Sequence, residues 1–282
     1  MPPLTISVIT VVRNGHQFIE QTIKSVIGQG YDHLEYIVID GASTDGTIDI
    51  IKSHESEITR WISETDKGIS DAFNKGLSLA TGNYMLFLNA DDHLANSDVM
   101  EAMADKIIEN NFPRLIYGDC DVMDRNSGRV SYRASIEFSP HGLKHGLMPP
   151  HPSLFIHRDY FDKYGLFDTR FRIAMDYELF LRGALREKVI HVPLLATCVR
   201  GGGLSTLNHS VSANEIIEAL KKNGHIHSRF SEFKLRKYFF LRAFARSVLI
   251  DVGLYNLFFD IRNRRGAPRL RGLLSWRAGN KD

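Results

Sequence analysis

The sequence predicts an α/β fold in which a mostly parallel sheet is covered by helices on both faces. Short apolar runs alternate with segments of helical periodicity through the first 109 residues, and the loops between them are short. The run at residues 84–88 is apolar throughout, which is typical of a strand buried in a parallel sheet. With 43% hydrophobic and 24% charged residues, the 282-residue chain has the composition of a globular protein with a sizeable core.

The first half of the chain alternates strands and helices. Residues 5–12 are largely β-branched and predict a central strand, and residues 18–27 place apolar side chains at helical spacing. The other elements predicted in this half are strands at 36–39, 60–63 and 84–88 and helices at about 47–54, 69–80 and 98–109.

The pattern is less regular after residue 109. The elements expected there are strands at 115–117, within 130–138 (on an antiparallel edge), at 153–156 and at 189–199, and helices at 158–164, 176–186 and from 211 onward. Prolines exclude a helix at 148–152, so this segment is predicted to be an extended loop. The glycine-rich segment 200–206 is expected to be a loop that can approach a ligand closely.

Charge is distributed unevenly along the chain. The formal net charge is +2, but the residues from Arg229 onward contain thirteen Lys and Arg against four Asp and Glu. That segment therefore carries +9 and residues 1–228 carry −7. We accordingly expect an α/β domain at 1–210 and a basic, amphipathic helical extension at 211–282.

Composition also bears on the cellular compartment. The two cysteines, Cys120 and Cys198, are far apart and lack a Cys/His partner pattern, which argues against a disulfide framework or a zinc site. The N-terminus has neither the basic nor the apolar region of a signal peptide. No apolar stretch approaches the roughly 20 residues of a membrane span. We therefore expect a cytoplasmic protein.

Acidic residues follow three successive strands. Asp40 ends one strand, Asp66 follows the next, and Asp91 and Asp92 follow the third. The carboxyl ends of parallel strands meet at one edge of the sheet, where ligands bind. Carboxylates gathered there suit a hard divalent cation that carries substrate phosphates. A structural interpretation remains open, because Asn-Ala-Asp-Asp at 89–92 can also end a strand and cap a helix.

Motifs in a fixed order carry a family resemblance. They are Ser-Val-Ile-Thr-Val-Val-Arg-Asn-Gly at 7–15, Val-Ile-Asp-Gly-Ala-Ser-Thr-Asp-Gly-Thr at 38–47, Glu-Thr-Asp-Lys-Gly-Ile-Ser-Asp-Ala-Phe-Asn-Lys-Gly at 64–76 and Leu-Asn-Ala-Asp-Asp at 88–92. In this order they resemble the family 2 inverting glycosyltransferases of the GT-A fold, and in particular the bacterial enzymes that build exopolysaccharide, capsule or O-antigen. The resemblance covers about residues 4–206.

The resemblance implies a nucleotide-sugar site at the ends of the first strands. Asp40 would accept the base N–H of a uracil-type nucleotide, because a carboxylate distinguishes a ring N–H donor from an acceptor. The other residues implied in donor binding are Thr10, Arg13 and Asn14 in the same pocket, Asp66 and Gly68 beside the nucleotide, Asn74 and Lys75 on the ribose or phosphate side, and Asn89 and Ala90.

The triplet Asn89-Ala90-Asp91 stands where the family has Asp-x-Asp, which implies Asp91 as a ligand of Mn²⁺ or Mg²⁺. Asp92 would be a second ligand or a support for Asp91. Asn89 departs from the commoner pattern. Its amide can hydrogen-bond a ribose hydroxyl or a metal-bound water, but it removes one negative charge.

Residues 174–182, Ala-Met-Asp-Tyr-Glu-Leu-Phe-Leu-Arg, resemble the segment that carries the family's catalytic base. Met175 stands where the family has an acid, so the resemblance assigns the base to Asp176. Such a base takes the proton of the acceptor hydroxyl as the new bond forms. Glu178 lies about 200° away around a helix, so only one of the two carboxylates can face the cleft. A capping role for Asp176 remains the structural alternative.

Two later segments complete the candidate site. His151, between two prolines, can contact the donor phosphates, the acceptor or the metal, or it can be structural. Arg200, with the glycines that follow it, resembles a loop of the family that closes over the diphosphate. A guanidinium matches phosphate bidentately.

The basic extension interleaves aromatic residues with arginines at 229–277. Helices of this composition commonly lie in the headgroup region of anionic membranes. The family's acceptors are often lipid-linked, so the resemblance implies work at the cytosolic face of the inner membrane. Alternatively, the apolar face packs on the α/β domain or on a second copy in a homodimer. No nucleic-acid recognition motif accompanies the charge, so we expect no nucleic-acid partner.

The activity implied by the resemblance is transfer of a sugar, with inversion, from a UDP-linked donor to a glycan or lipid-linked acceptor in bacterial surface polysaccharide synthesis. A non-catalytic sugar-nucleotide or glycan-binding module would keep Asp40 and Asp91 and dispense with Asp176. The glycine fingerprint of a dinucleotide-dependent oxidoreductase is missing after the first strand. The signature loop of sugar-phosphate nucleotidyltransferases is missing as well.

Overall fold

The structure is a computed structural model that describes residues 3–203 and 208–251, with side chains described as far as residue 245. Within these residues nine strands form one sheet. The strands are β1 (Ile6–Val12), β2 (Leu34–Asp40), β3 (Arg60–Ser63), β4 (Tyr84–Asn89), β5 (His93–Leu94), β6 (Leu115–Met123), β7 (Val130–Ala134), β8 (Leu154–His157) and β9 (Val189–Arg200). The helices are α1 (Ile19–Ile27), α2 (Thr47–Ser53), α3 (Ile69–Leu79), α4 (Val99–Glu109), α5 (Pro140–Leu143), α6 (Arg158–Tyr164), α7 (Met175–Ala184), α8 (His209–Lys222) and α9 (Arg229–Asp251).

The strand order is β3-β2-β1-β4-β8-β6-β9-β5, and β7 lies off this path and pairs with β6. Strands β3, β2, β1 and β4 are parallel to one another, and β9 is parallel to β6. Strand β8 is antiparallel to both β4 and β6, and β5 and β7 are antiparallel to their neighbours. The predicted α/β fold is confirmed, with parallel pairing throughout its first half and mixed pairing beyond.

Two strands differ from the prediction because polar residues interrupt their apolar pattern. Strand β6 continues through Asp119 and Asp121 to Met123, well beyond the predicted end at residue 117. Both acids are buried, and each has a basic or imidazole partner: His191 Nε2 lies 2.8 Å from Asp119, and Arg133 Nε lies 2.7 Å from Asp121. A hydrogen-bonding or ionic partner for each carboxylate makes a strand of this composition stable inside the sheet. The two-residue β5 carried no sequence signal.

Apolar side chains cover both faces of the sheet. On one face, α1 and α4 contribute Ile23 and Met103 to a core that includes Val8 of β1. On the other face, α3 packs against β1 and β2, and Phe73 meets Phe87 edge to face at 4.9 Å. Removing a ring such as Phe87 from this core would cost about 3–5 kcal/mol. This burial on two sides explains why the central strands are apolar throughout.

The chain divides into two compact units, Met1–His227 and Ser228–Asp282. Helix α8 belongs to the first unit, because its apolar side chains Ile217 and Leu220 are buried there. The division therefore comes one helix later than the boundary expected between residues 210 and 211. In the second unit the structure describes α9, and the remainder of the expected basic extension lies outside the described residues. No helix within 3–203 or 208–251 has the length and apolarity needed to cross a bilayer.

Candidate active site

The sheet brings Asp40 and the turn at 89–92 to one edge. In the register of the parallel strands, Val12 of β1 lies beside Asp40 of β2, and Val11 lies beside Asn89 of β4. The two sites are therefore separated by the width of one strand. This is the edge at which parallel α/β sheets bind ligands.

Asp40 is fully buried and has an unused hydrogen-bond acceptor. Its Oδ2 accepts hydrogen bonds from the backbone N–H of Ser43 (3.0 Å) and from the hydroxyl of Ser63 (2.6 Å). Its Oδ1 is buried and finds no hydrogen-bond partner among residues 3–203 and 208–251. Leaving a buried carboxylate oxygen unpaired costs free energy, so this atom is suited to a ligand that donates a hydrogen bond.

Asp66 lies against the loop that follows Asp40. Its Oδ1 accepts a hydrogen bond from the backbone N–H of Gly68 at 2.8 Å. A Cβ atom on Gly41 would collide with the Asp66 carboxylate, so the close approach of loop and side chain requires glycine at this position. Gly68 has φ of +119°, a conformation that also favours glycine. Asp40 and Asp66 are therefore held near each other through Gly41.

A cavity of about 480 Å³ opens beside Asp66. It extends from the end of β1 to the segment that precedes α7 and to the first turn of α8. Its walls are Arg13, Asp66, Lys67, Gly68, Ile69, Ser70, Thr169, Phe171, Arg172, Ile173, Asn208 and Val211. The cavity thus joins predicted nucleotide residues to the segment that leads into Asp176, and it is large enough for part of a nucleotide sugar.

Two residues expected in the nucleotide pocket make contacts within the fold. Thr10 is fully buried in β1, and its hydroxyl lies 3.3 Å from that of Tyr36. Asn14 has φ of +53° and links two loops. Its backbone N–H donates to Ser43 Oγ (2.7 Å), and its side-chain oxygen accepts from the N–H of Thr44 (2.9 Å). Thr10 therefore lies in the core, and Asn14 fixes the shape of the loop around Asp40.

Asn74 and Lys75, expected on the ribose or phosphate side, are also engaged by protein groups. The Asn74 amide donates to the carbonyl of Phe167 (2.9 Å) and accepts from the N–H of the same residue (3.0 Å). The Lys75 ammonium pairs with Glu64 at 2.7 Å and donates to the carbonyl of Thr65 at 2.8 Å. Position along α3 does not reveal these contacts, and the place of Asn74 and Lys75 beside the ribose or phosphate stays a prediction.

The turn after β4 is fastened to α1. The hydroxyl of Thr22 donates to the carbonyl oxygens of Ala90 (2.8 Å) and Asp92 (2.7 Å). The two adjacent acids of the turn then differ in environment, because Asp92 is buried whereas the Asp91 side chain is 29% exposed. Asp91 is therefore the carboxylate that this turn exposes to solvent.

Asp92 supports the turn from inside. Its Oδ2 accepts a hydrogen bond from the side-chain amide of Asn89, and its Oδ1 accepts one from the backbone N–H of Arg200, both at 3.1 Å. Burial, and next the nearby charge of Asp91, raise the pKa of Asp92 to about 7. These contacts favour the predicted role of a support over that of a second metal ligand.

Asp91 pairs with a residue that the sequence did not point to. Arg125 Nη1 lies 2.8 Å from Asp91 Oδ2. The Arg125 guanidinium also lies over the ring of Phe18 at 5.2 Å, and the Arg200 guanidinium lies over the same ring at 4.4 Å. Arg200 is further held by Gln21 through its Nη2. Two cations therefore meet at one aromatic ring beside Asp91.

The three expected metal ligands do not form one cluster. In the part of the chain that the structure describes, no three His, Cys, Asp or Glu side chains come together as a metal-binding group. His151 packs against Phe73 and Phe87, and burial lowers its pKa while the charge of Asp176 raises it. Its Nε2 is buried without a hydrogen-bond partner from the described residues. Burial outweighs the charge of Asp176, so the pKa of His151 is lowered.

Asp176 is the second residue of α7. Its Oδ1 accepts a hydrogen bond from the backbone N–H of Tyr177 at 2.7 Å, and its side chain is half-buried. The segment before it is attached to α3 through Ser70, whose hydroxyl donates to the carbonyl of Phe171 at 2.8 Å. Asp176 is thus held on the side of the sheet that α3 covers.

Glu178 is separated from Asp176 as helical geometry predicts. It is fully buried, where its carboxylate pairs with Arg182 one turn later and with Lys222 of α8 at 2.8 Å. Burial acts to raise the pKa of Glu178, but hydrogen bonds from Arg182 and Lys222 outweigh it, so the pKa is lowered. Glu178 is therefore an ionised structural residue that joins α7 to α8.

A second acid of α8 holds the segment before α7. The Glu215 carboxylate accepts hydrogen bonds from the backbone N–H groups of Arg172 (3.0 Å), Ile173 (2.8 Å) and Ala174 (2.8 Å). Sequence reasoning missed Glu215 and Arg125 because their partners are 41–43 and 34 positions away. Glu215 lies beyond the first turn of α8, so the helix offered no local signal for it.

Comparison with known proteins now identifies the family. The sequence profile of Glycosyl transferase family 2 matches residues 7–165. An uncharacterized glycosyltransferase of Mycobacterium tuberculosis is 33% identical over 197 residues, which cover 69% of this chain and 73% of that protein. A PGL/p-HBAD biosynthesis glycosyltransferase of Mycobacterium bovis is 30% identical over 206 residues, which cover 71% of this chain and 78% of that protein.

Solved structures share the fold at lower sequence identity. TarS of S. aureus in complex with UDP-GlcNAc matches with a TM-score of 0.63 and 16% identity, over 88% of this chain and 76% of that one. The mannosyltransferase PcManGT of Pyrobaculum calidifontis in complex with GDP-Man and Mn²⁺ matches with a TM-score of 0.58 and 18% identity, over 97% and 79%. These likenesses confirm the predicted GT-A fold. The profile match and the mycobacterial relatives show that the chain belongs to glycosyltransferase family 2.

Proposed function

We propose that this protein transfers a sugar, with inversion, from a UDP-linked donor to a hydroxyl of a glycan or lipid-linked acceptor in bacterial surface polysaccharide synthesis. The observation that carries the proposal is the buried Oδ1 of Asp40, which has no hydrogen-bond partner among the described residues and lies at the same sheet edge as Asp91. A related fold holds UDP-GlcNAc, and one relative is named for PGL biosynthesis.

The donor base would be recognised by Asp40. A uracil ring presents one N–H between two carbonyls, and Asp40 Oδ1 would accept a hydrogen bond from it. Asp66, Gly68 and Arg13, which line the adjoining cavity, would border the nucleotide. Because Asp40 is buried, a base that offers an acceptor there would leave two acceptors facing each other, which disfavours it strongly.

The residues at the turn after β4 fit a divalent ion that arrives with a diphosphate. Mg²⁺ and similar ions are commonly held by one or two carboxylates together with substrate phosphates, so Asp91 alone suffices as the carboxylate ligand. Mn²⁺ or Mg²⁺ bound there would neutralise charge on the departing diphosphate. Asp92 and Asn89 would keep the turn in shape, and Arg200 would pair with phosphate oxygens.

Asp176 would act as the catalytic base. Its Oδ1 is oriented by the N–H of Tyr177, which leaves Oδ2 for the acceptor hydroxyl. Inversion requires this hydroxyl to attack the anomeric carbon from the side opposite the diphosphate. Asp176 would take its proton as the new C–O bond forms and the bond to the diphosphate breaks. His151, its buried neutral neighbour, would stay a structural residue of the pocket wall.

The basic extension would bring the catalytic unit to an anionic membrane. On α9 the side chains of Phe230, Phe233, Phe240 and Phe244 are each at least 60% exposed, at spacings that place them on one helical face. Lys234 lies over the ring of Phe230 at 4.4 Å. Aromatic rings interleaved with cations suit the headgroup region of a bilayer rich in anionic lipid.

A donor panel tests the activity. Purified protein would be incubated with UDP-, GDP- and dTDP-sugars, with Mn²⁺ or Mg²⁺ and with candidate acceptors, and release of the nucleoside diphosphate would be measured. We expect release of the diphosphate from a UDP-sugar, and we expect the rate of release to fall at least about 100-fold in Asp91→Asn. Asp98→Asn is the control and should keep the rate, because the Asp98 carboxylate lies at the exposed start of α4. Binding of UDP without release from any donor would favour the non-catalytic module.

Vesicle flotation tests the membrane proposal. The full-length chain is expected to float with vesicles that contain phosphatidylglycerol, and Phe233→Asp/Phe240→Asp is expected to remain in the unbound fraction. Ile108→Asp on α4 alters an exposed apolar residue of the first unit and serves as the control. Equal flotation of all three proteins, or of none, would contradict membrane contact by α9. A change in oligomeric state in the double variant would favour the homodimer interpretation.

A further inference from the structure

The side chain of Arg125 is placed as a counter-ion for the carboxylate that would hold the metal. Arg125 lies in the turn between β6 and β7, 34 positions after Asp91, and its Nη1 is 2.8 Å from Asp91 Oδ2. The Arg125 side chain is 42% exposed, so it reaches Asp91 from the solvent side of the turn. None of the roles proposed above requires this contact.

The turn that carries Arg125 does not depend on the ion pair for its shape. Asp124 Oδ1 accepts hydrogen bonds from the backbone N–H groups of Asn126 (3.2 Å) and Ser127 (2.7 Å) and from the Ser127 hydroxyl. Gly128, with φ of +66°, donates its N–H to the carbonyl of Asp124. The Arg125 side chain can therefore leave Asp91 while the turn keeps its fold.

A guanidinium and a divalent ion cannot share the accessible side of one carboxylate. An ion bound to Asp91 Oδ2 at about 2.1 Å would lie within about 5 Å of Arg125 Nη1 at its present position. Two positive charges at that separation repel each other. The alternative position for Arg125 is beside Arg200, with which it already shares the ring of Phe18.

We propose that Arg125 and the metal ion compete for Asp91, and that a metal–diphosphate complex displaces Arg125, which then pairs with the diphosphate next to Arg200. The inference rests on the proposed function, since it takes Asp91 as the metal ligand. Its consequence is coupling: the diphosphate supplies a new partner for the displaced guanidinium, so the metal binds well only together with the nucleotide. When the metal binds alone, it has to break the ion pair between Arg125 and Asp91, and no diphosphate is present to pair with the displaced guanidinium.

This competition can be tested by measuring the affinity for Mn²⁺ directly, with no assay of activity. Titrations followed by electron paramagnetic resonance of free Mn²⁺ would use the wild type, Arg125→Gln, Arg125→Lys and Arg129→Gln. Arg129 lies in the same exposed turn, so Arg129→Gln removes the same charge without touching Asp91. In the absence of nucleotide we expect Arg125→Gln to bind Mn²⁺ about two- to fivefold more tightly than the wild type, the range set by an exposed ion pair. Arg125→Lys and Arg129→Gln are expected to match the wild type.

The same proteins titrated with UDP in saturating Mn²⁺ complete the test. We expect Arg125→Gln to bind UDP about tenfold more weakly, because one charge-assisted contact to the diphosphate is lost. Opposite changes in the affinities for Mn²⁺ and UDP would not arise if Arg125 only stabilised the turn. Equal or weaker Mn²⁺ binding by Arg125→Gln without UDP overturns the competition, even if Mn²⁺ and UDP still bind together. Failure of the wild type to bind Mn²⁺ even with UDP overturns both this inference and the metal assignment at Asp91.

Discussion

The carboxylate of Glu215 accepts a hydrogen bond from the backbone N–H of Ala174 at 2.8 Å, two residues before Asp176. With the N–H groups of Arg172 and Ile173, it gathers three backbone donors at the entrance to α7. Charge-assisted hydrogen bonds of this kind are stronger than neutral ones. Helix α8 therefore holds the segment that leads into the proposed base.

Glu215→Gln is expected to lower kcat by about tenfold and to leave KM for the donor nearly unchanged. The substitution places an NH₂ donor where the segment offers only N–H donors, so the backbone before Asp176 shifts. Steady-state kinetics with donor and acceptor varied separately would check this. Glu218→Gln, on the same helix at an exposed position that pairs with Lys221, should behave as the wild type. If the donor KM rose together with the fall in kcat, Glu215 would not act by positioning the base.

Asp40→Asn is expected to weaken UDP binding by at least about tenfold and to erase the preference for uracil over cytosine. The amide oxygen has to stay with the backbone N–H of Ser43, so the NH₂ group faces the ring N–H and the recognition is lost. Isothermal titration with UDP and CDP would measure both effects. Asp45→Asn in the following turn, where the carboxylate bonds to Thr47, is the control. Unchanged discrimination in Asp40→Asn would show that the base binds elsewhere.

Gly41→Ala is expected to reduce UDP affinity about five- to tenfold, because the new methyl group would displace the Asp66 carboxylate. Gly30→Ala provides a matched control, since a Cβ at Gly30 meets no other atom within 4 Å. Fluorescence or calorimetric titration with UDP would compare the two variants at equal folded fraction. Identical affinities would mean that Asp66 does not border the nucleotide.

The ionisation of Glu187 is expected to make the stability of the fold depend on pH. Burial would raise its pKa, but hydrogen bonds from Lys163, Tyr164 and Arg114 lower it from 4.5 to about 2. Because the folded-state pKa lies below the unfolded one, the ion pairs stabilise the fold above pH 4.5, and this contribution is lost as the pH falls towards 2.

Glu187→Gln should therefore be less stable than the wild type by about 1–3 kcal/mol at pH 7, and the difference should shrink between about pH 4.5 and 2. Urea unfolding at a series of pH values would measure it. Glu109→Gln removes an exposed pair with Lys106 and should change the stability by less than about 1 kcal/mol. A deficit for Glu187→Gln that is independent of pH would contradict the assignment of the charge.

Local patterns in the sequence were sufficient for the parallel half of the fold. Apolar, β-branched runs and helical periodicity are properties of neighbouring residues, so β1 to β4 and their helices could be predicted. Strand β6 was predicted too short because Asp119 and Asp121 break its apolar pattern, and their partners His191 and Arg133 lie 72 and 12 positions away. Helix α8 was placed in the extension because its contact with α7 has no local signature.

In the candidate site, too, some residues could be predicted from local sequence patterns and others could not. Asp40, Asp66 and Asp91 each follow a predicted parallel strand, and ligands bind at the carboxyl ends of such strands, so the amino-acid pattern was sufficient to assign all three to one edge. The contacts of Asn74 with Phe167 and of Arg125 with Asp91 join segments that only the folded chain brings together. Their roles could not follow from spacing along one element.

The central claim is that Asp176 takes the proton of the acceptor hydroxyl. Its most direct test is Asp176→Asn, for which both the turnover rate with acceptor and the equilibrium Kd of the UDP-sugar with Mn²⁺ are measured. We expect kcat to fall about 100-fold or more while Kd stays within about twofold, because an amide of the same shape cannot accept the proton. Turnover by Asp176→Asn at the rate of the wild type would contradict it.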